Sequence, residues 1–313
     1  MISTSRLSSE LELAAWTSQN DCANGTAITY NGKLRIFKLF CETHGYNHFP
    51  TTTFIVGNFL RHLILQGLSH STVDGYIAAI SKTYRYTEFV NPCQSALITG
   101  ISKVAKRLGP SSVKKIPTTT SHMRKLAVVV NPFSFIDVRD HLAFCIMFKG
   151  FLRAEQIARL RPGDLWIEIV NGVKVLFIFI EKAKNDQYRR GNTVIIGPGL
   201  DATFCPIEWF ARYNSLRESN AAAFFHKANN APDKHTAFLV PATFNSRFKE
   251  RCMKAGITVY LTSHCLRAGG ITTALARGVD LRLAKRHGNW KSDAVYAYIT
   301  ESLANILSVT NCF

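Results

Sequence analysis

Between Phe89 and Phe135 the chain has no acidic residue, yet the same stretch carries Lys103, Lys106, Arg107, Lys114, Lys115, Arg124 and Lys125. Acid is scarce throughout: 21 Asp plus Glu stand against 38 Lys plus Arg, a formal net charge of +17 in 313 residues. An excess of that size predicts a polyanionic partner, nucleic acid first. Clustering strengthens the expectation, because each phosphate met by Lys or Arg releases counterions. A second basic group, Arg282, Lys285, Arg286 and Lys291, reads as a solvated or phosphate-facing surface.

Other absences narrow the field. No apolar run approaches the ~20 residues needed to cross a bilayer, so no membrane partner is expected. The eight cysteines are scattered with no C-x-x-C or other zinc spacing, which argues against a zinc site. The first residues, MISTSRLSSELEL, contain no apolar h-region. No signal peptide is therefore expected, and with it no disulfide framework. The cysteines read as small buried apolar residues. An intracellular chain is expected, nuclear in a eukaryote and otherwise in the cytoplasm or nucleoid. No carboxylate cluster suits Mg²⁺, and neither metal nor cofactor is expected.

The length allows two domains. The first hundred residues carry helical periodicity. Tyr30, Leu34, Phe37 and Phe40/Cys41 repeat at helical spacing, as do Ile55, Phe59 and Leu63. Val73, Ile77, Ile80 and Tyr84 follow a Ser69-His-Ser71 start signal. Four helices forming a small bundle are expected. Leu108 to Pro117 carries two prolines, a glycine and two lysines, and reads as a basic linker. Beyond it the pattern is mixed. Helices are expected at Ile136–Gly150, Pro206–Leu216, around Phe244–Ala255 and from Ser263 onward, and strands at Lys174–Ile180 and Asn192–Ile196. The expected organisation is a helical DNA-binding domain at 1–108, a basic linker at 109–118 and a catalytic domain at 119–313. The fold class is α+β, mainly helical, arranged as a two-domain clamp.

The chemistry-bearing residues are dispersed. Gly150-Phe-Leu-Arg153 comes first, then a cationic turn containing Lys182 and Lys184, then His264-Cys-Leu-Arg267, Trp290 and Tyr298. Three apart on a helix that Ser263 could cap, His264 and Arg267 share a face. Arginine is planar, bidentate and always charged, which suits a phosphodiester. A Cys265–His264 hydrolase pair is geometrically poor, because adjacent helical residues diverge by about 100°. Each piece alone is a weak signal.

Taken in order and spacing, these pieces resemble the tyrosine recombinases, the family of phage integrases and Xer-type resolvases. Four blocks carry the resemblance: Gly150-Phe-Leu-Arg153 through Asp164, Glu181-Lys-Ala-Lys184-Asn-Asp-Gln, Ser263-His264-Cys-Leu-Arg267-Ala-Gly-Gly, and Gly288-Asn-Trp290-Lys-Ser-Asp-Ala-Val-Tyr-Ala-Tyr298-Ile. The helical N-terminal part, Leu68 to Ile80 included, looks like that family's core-binding domain. The last block is most similar in wording to recombinases of eukaryotic mobile elements of the DIRS and Crypton type. The resemblance implies that Tyr298 is the nucleophile of a 3′-phosphotyrosyl intermediate. It also implies that Arg153 and Arg267 bind the non-bridging oxygens, that Lys184 protonates the leaving 5′-oxygen, that His264 assists proton transfer and that Trp290 lies beside the phosphate. Double-stranded DNA is the implied substrate. Self-association is implied too: a dimer on one site, a tetramer on paired sites, and a C-terminal segment, 301–313, that passes between protomers. A type IB topoisomerase would share the chemistry, and an inactive DNA-binding relative would share the fold.

Three features depart from the family's pattern or compete within it. Where the family has an acid three residues after its first arginine, this chain has Gln156, with Glu155 one position early. Tyr296 competes with Tyr298 and reads as a core residue, although a register built on His287 and Tyr296 is possible. Lys182 competes with Lys184, and the Lys-Asn-Asp-Gln string favours Lys184.

Overall fold

The computed structural model describes residues 4–111, 116–181, 191–218, 220–228, 238–299 and Leu307. The chain divides into two compact units, 1–114 and 115–313.

Among its described residues the N-terminal unit is helical, without strands: α1 (Thr4–Asn20), α2 (Asn24–Thr43), α3 (Thr53–Leu65), α4 (His70–Thr83) and α5 (Ala96–Leu108), with one 3₁₀ turn at Pro92–Gln94. Five helices stand here where four were expected. On α3 the buried residues Val56, Phe59, Leu60 and Leu63 fall at the i, i+3, i+4, i+7 positions of one helical face. They pack against Phe37 and Cys41 of α2, Val73, Tyr76 and Ile80 of α4, and Ile98 and Ala105 of α5. Local chemistry sets the helix starts. Thr52 accepts a hydrogen bond from Ile55 N–H at 3.3 Å, and Ser95 accepts one from Ile98 N–H at 3.3 Å. With its inner face committed to Ile98 and Ala105, α5 exposes Lys103, Lys106 and Arg107.

The C-terminal unit is built around α7 (Phe135–Lys149), buried from Val138 through Phe148. The buried stretch includes Arg139 and Asp140, paired at 2.6 Å, and His141, so the helix is central and its polar groups are met inside the unit. Around it lie α6 (Thr120–Val128), α8 (Ala154–Ile157), α9 (Pro206–Leu216), α10 (Pro241–Lys254), α11 (Ser263–Ala276) and α12 (Leu281–His287). An antiparallel sheet adds β1 (Leu165–Val170), β2 (Val173–Ile180) and β3 (Asn192–Ile196) in the order β1-β2-β3. Its register pairs Leu165 with Ile178 and Ile178 with Val194. Leu176, Ile178 and Ile180 alternate inward with Val194 and Ile196.

The strand β1 was not anticipated from the sequence. Its signal was Asn171-Gly172, where both residues take positive φ (49° and 77°) in a tight hairpin turn. The start of α11 also differs in detail. Thr262 is its cap position, and Ser263, the first helical residue, is tied to Asn245 Oδ1 through its N–H at 3.1 Å.

The helix α11 approaches the end of α7 very closely. A Cβ added at Gly270 would sit 1.9 Å from the Phe148 carbonyl oxygen, so only glycine fits. Gly270→Ala should therefore cost about 1–3 kcal/mol or more through overpacking. By contrast, Gly100 lies on α5 with nothing within 4 Å of such a Cβ, and Gly100→Ala should add roughly 0.5–1 kcal/mol. Thermal melts of the two variants should shift in opposite directions. Equal shifts would mean that the α11–α7 contact is looser than described.

Burial in α7 also pushes His141 down from 6.5 to about 4, although its Nε2 donates to the Thr203 carbonyl at 3.2 Å. A base held neutral in the folded state contributes stability that is present above the unfolded value. That stability is lost as pH falls toward the folded one. The melting temperature should fall between pH 6.5 and about 4. His141→Phe should make that fall shallower, and a pH slope as steep as wild type in the variant would contradict this.

Candidate active site

A small satellite core of Phe151, Ile271, Ala284, Trp290 and Val295 seats the residues singled out by sequence. Two helix ends build it. At the end of α7 the chain passes through Gly150 into Phe151, which adopts a left-handed φ of 51°, and Leu152 N–H bonds back to the Met147 carbonyl at 3.2 Å. At the end of α12 it passes through Gly288 into Asn289, at φ 52°, and Trp290 N–H bonds back to the Lys285 carbonyl at 2.9 Å. The α12 end is a Schellman motif, since Asn289 N–H also bonds to the Arg286 carbonyl at 3.1 Å; the α7 end shares its left-handed residue and its six-residue bond. Phenylalanine is an uncommon choice for the left-handed position, and holding it there costs on the order of 1–3 kcal/mol. Its ring is buried in the satellite core.

These two helix ends grip Arg267. Its Nη1 donates to the Phe151 carbonyl, and its Nη2 donates to the Gly288 carbonyl at 2.9 Å. The guanidinium lies 3.8 Å from the centroid of the Trp290 ring, a cation–π contact. Gly288 must be glycine, since a Cβ there would meet the Trp290 ring at 1.8 Å. Helix C-termini carry partial negative charge, so α7 and α12 both stabilise the cation they hold.

No carboxylate does so. Among the described residues neither Arg153 nor Arg267 forms an ion pair with an acid. Burial first, and then the neighbouring charge of Arg153, push Arg267 down to about 9, while Tyr298 offsets part of that shift. The guanidinium remains protonated at neutral pH, in a site short of negative charge. Arg267 Nε and Trp290 Nε1 are buried with no hydrogen-bond partner among the described residues. Buried donors of this kind call for an acceptor. Gln156, at the usual acidic position, is buried, and its Oε1 accepts from Arg153 N–H at 2.9 Å, so it caps α8 and brings no charge to the pocket. Glu155 is exposed.

The tyrosine lies at the end of a 3₁₀ turn, Asp293–Tyr298, capped by Ser292. Its carbonyl accepts from Thr272 Oγ1 at 3.2 Å, which anchors the turn to α11. The Tyr298 ring centroid is 5.1 Å from the His264 ring, 5.5 Å from the Trp290 ring and 5.6 Å from the Arg267 guanidinium carbon. Tyr296 is 57% exposed and is not the core residue expected; Val295 fills that role. The turn type accounts for Val295: with three residues per turn, positions three apart share a face, so Val295 lines up with Tyr298 on the inner side and Tyr296 falls to another side. His287, half-buried, is engaged elsewhere: its Nε2 donates to the Lys149 carbonyl at 2.8 Å.

The structure thus brings together Arg153, His264, Arg267, Trp290 and Tyr298. Lys103, Lys106 and Arg107 belong to the N-terminal unit. Lys114, Lys115, Lys182 and Lys184 lie outside the described residues, as does 300–313 apart from Leu307. Sequence reasoning missed the acceptors of Arg267, because they are backbone carbonyls. It also missed Thr272. The one available hint was Gly288-Asn289, a dipeptide suited to a left-handed helix stop.

The phage integrase family model matches residues 117–303. The tyrosine recombinase XerD of Lacticaseibacillus casei is 24% identical over 285 residues, covering 89% of this chain and 89% of its own. The tyrosine recombinase XerA of Pyrococcus horikoshii is 26% identical over 249 residues, covering 77% and 74%. Among solved structures, the Tn1549 transposon integrase in complex with circular intermediate DNA superposes with a TM-score of 0.64 at 12% identity, over 96% of this chain and 98% of that one. A lambda integrase tetramer bound to a Holliday junction gives 0.62 at 16%, over 94% and 77%. Those structures speak to the fold. The family match spans well over half the chain, and the protein belongs to the phage integrase family.

Proposed function

We propose that this chain is a site-specific DNA recombinase that cleaves and rejoins double-stranded DNA through Tyr298. The observation that carries the reading is the pair Arg153 and Arg267, neither of them paired with an acid among the described residues, beside Tyr298 and His264. Two guanidiniums without a counter-charge suit a phosphodiester, whose negative charge grows in the transition state. Tyr298 Oη attacks phosphorus, and its proton passes toward His264. The bond to the 5′-oxygen breaks, and Lys184 protonates that leaving oxygen. The 3′-phosphotyrosyl bond conserves the energy of the one it replaces, so a second 5′-hydroxyl reverses the steps without ATP. Trp290 Nε1 and Arg267 Nε supply further donors to the phosphate oxygens.

Several features support the wider reading. The relatives are named tyrosine recombinases, and the structural neighbours include DNA-bound dimers and tetramers. A dimer on one site and a tetramer on paired sites follow for this chain, with the C-terminal segment exchanged between protomers. Lys103, Lys106 and Arg107 on α5, with Lys114 and Lys115 in a linker at 109–118, supply the phosphate contacts of a DNA-binding domain at 1–108, ahead of a catalytic domain at 119–313. The wording around Trp290 and Tyr298 favours a eukaryotic mobile element of the DIRS or Crypton type, and a DNA substrate then favours the nucleus. No described helix is long and apolar enough to cross a membrane.

A duplex selected by the protein from a random-sequence pool, nicked near the cleavage position, should trap the wild type as a covalent adduct on a denaturing gel. The adduct should persist in EDTA, because side chains supply the positive charge. Tyr298→Phe should abolish it and leave binding nearly intact. An adduct that survives Tyr298→Phe but is lost in Tyr296→Phe would overturn the assignment.

Binding should also weaken steeply with salt. With six to ten phosphate contacts, affinity should fall by about 10³–10⁵ between 50 and 200 mM. Replacing Lys114 and Lys115 by Ala should flatten a plot of log affinity against log salt. A flat response in the intact protein would contradict a phosphate-gripping surface.

A further inference from the structure

We infer that His287 is a positioning residue for this reaction, stapling together the two helix ends whose carbonyls hold Arg267. The inference rests on the recombinase reading for its kinetic consequence, but its geometry stands apart from it. Arg267 has two backbone acceptors on two different elements: Phe151 O after α7 and Gly288 O after α12. Nothing in a single helix fixes the distance between them. His287 spans that gap. It is the last residue of α12 and the immediate neighbour of Gly288. Its Nε2–H donates to the carbonyl of Lys149, the last residue of α7, at 2.8 Å. Because the partner is a carbonyl, the proton must sit on Nε2, which fixes the tautomer.

The same ring packs edge-on against Phe151, with centroids 4.8 Å apart and planes at 80°. One side chain therefore does two things. It ties α12 to α7 one residue before each C-cap glycine, and it presses on the residue held at φ 51°. Left-handed phenylalanine persists only where its surroundings over-determine it. Without the His287 ring and hydrogen bond, Phe151 is free to relax, and its carbonyl turns away from Nη1. Arg267 would then keep only the Gly288 carbonyl and the Trp290 face, and its guanidinium would be misaimed relative to Tyr298. Misplacement of about 1 Å can slow chemistry about 100-fold while leaving binding largely unchanged.

The test uses the full chain and the pool-selected nicked duplex. His287→Leu removes the donor, His287→Asn keeps polarity but is too short to reach Lys149, and His287→Gln places an amide donor near the Nε2 position. At saturating DNA, the Leu and Asn variants should form adduct about 10–100-fold more slowly than wild type. Their half-saturating DNA concentration in gel shifts should stay within about threefold, because the phosphate contacts of binding are intact. Gln should recover most of the rate. Should Leu fail to fold, Asn carries the comparison. Adduct rates within about twofold of wild type in both Leu and Asn, or Gln no faster than Leu, would overturn the inference. So would a parallel loss of rate and binding, which marks a merely structural role. Crystals of the free Asn variant give an answer independent of DNA: Phe151 should leave the left-handed region and its bond to Arg267 should be lost. Phe151 unchanged there would overturn the inference even if no adduct formed. Failure of the recombinase reading is distinguishable, since it shows as a wild type whose adduct is absent or insensitive to Tyr298→Phe.

Discussion

Arg267 is a buried cation with no acid paired to it among the described residues, and the site around it is built on that fact. Its charge is held by the negative ends of α7 and α12 and by the face of Trp290. A carboxylate in the same place would stabilise the resting protein better, but it would also cancel the positive field that a phosphodiester requires. Carbonyl dipoles fix the guanidinium's position without neutralising it. Arg153 then adds a second positive charge nearby, and burial first and that charge second depress Arg267.

Several otherwise odd residues follow from this arrangement. Gly270 lets α11, which carries Arg267, approach the carbonyl of Phe148. Gly288 makes room for the Trp290 ring that covers the guanidinium. Phe151 accepts a left-handed backbone because its carbonyl is needed at Nη1 and its ring is needed in the satellite core. The short turn ending at Tyr298 is then seated against the same core and tied to α11 through Thr272. Local strain, close packing and unsatisfied donors thus gather at one place, where a charged substrate would relieve them.

Much of this was legible in the chain. The buried face of α3, the central α7 and the inward alternation of β2 all follow from hydrophobic spacing. The side chains of the candidate site were legible as well: Arg153, His264, Arg267, Trp290 and Tyr298 lie near one another in the fold. Backbone contributions were not legible. A carbonyl looks the same at every position, so the acceptors of Arg267 could not be read off Phe151 or Gly288. The same blindness hid the role of Gln156, which accepts from the main-chain N–H of Arg153. The strand β1 was overlooked because Trp166 and Glu168 broke the apolar run, although Asn171-Gly172 marked its turn. Tyr296 was misjudged because Val295, three residues before Tyr298 in a 3₁₀ turn, takes the inner face instead.

The central claim is electrostatic: an uncompensated arginine pair exists to neutralise one phosphate. Replacing the cleaved phosphate of the nicked duplex by a neutral methylphosphonate tests it most directly. On ordinary DNA, Arg153→Ala should lose adduct formation severely. On the methylphosphonate, where the charge to be offset is gone, the same variant should react at a rate close to wild type. An equally severe loss on both substrates would show that Arg153 acts through shape or folding, and the account given for the site would fail.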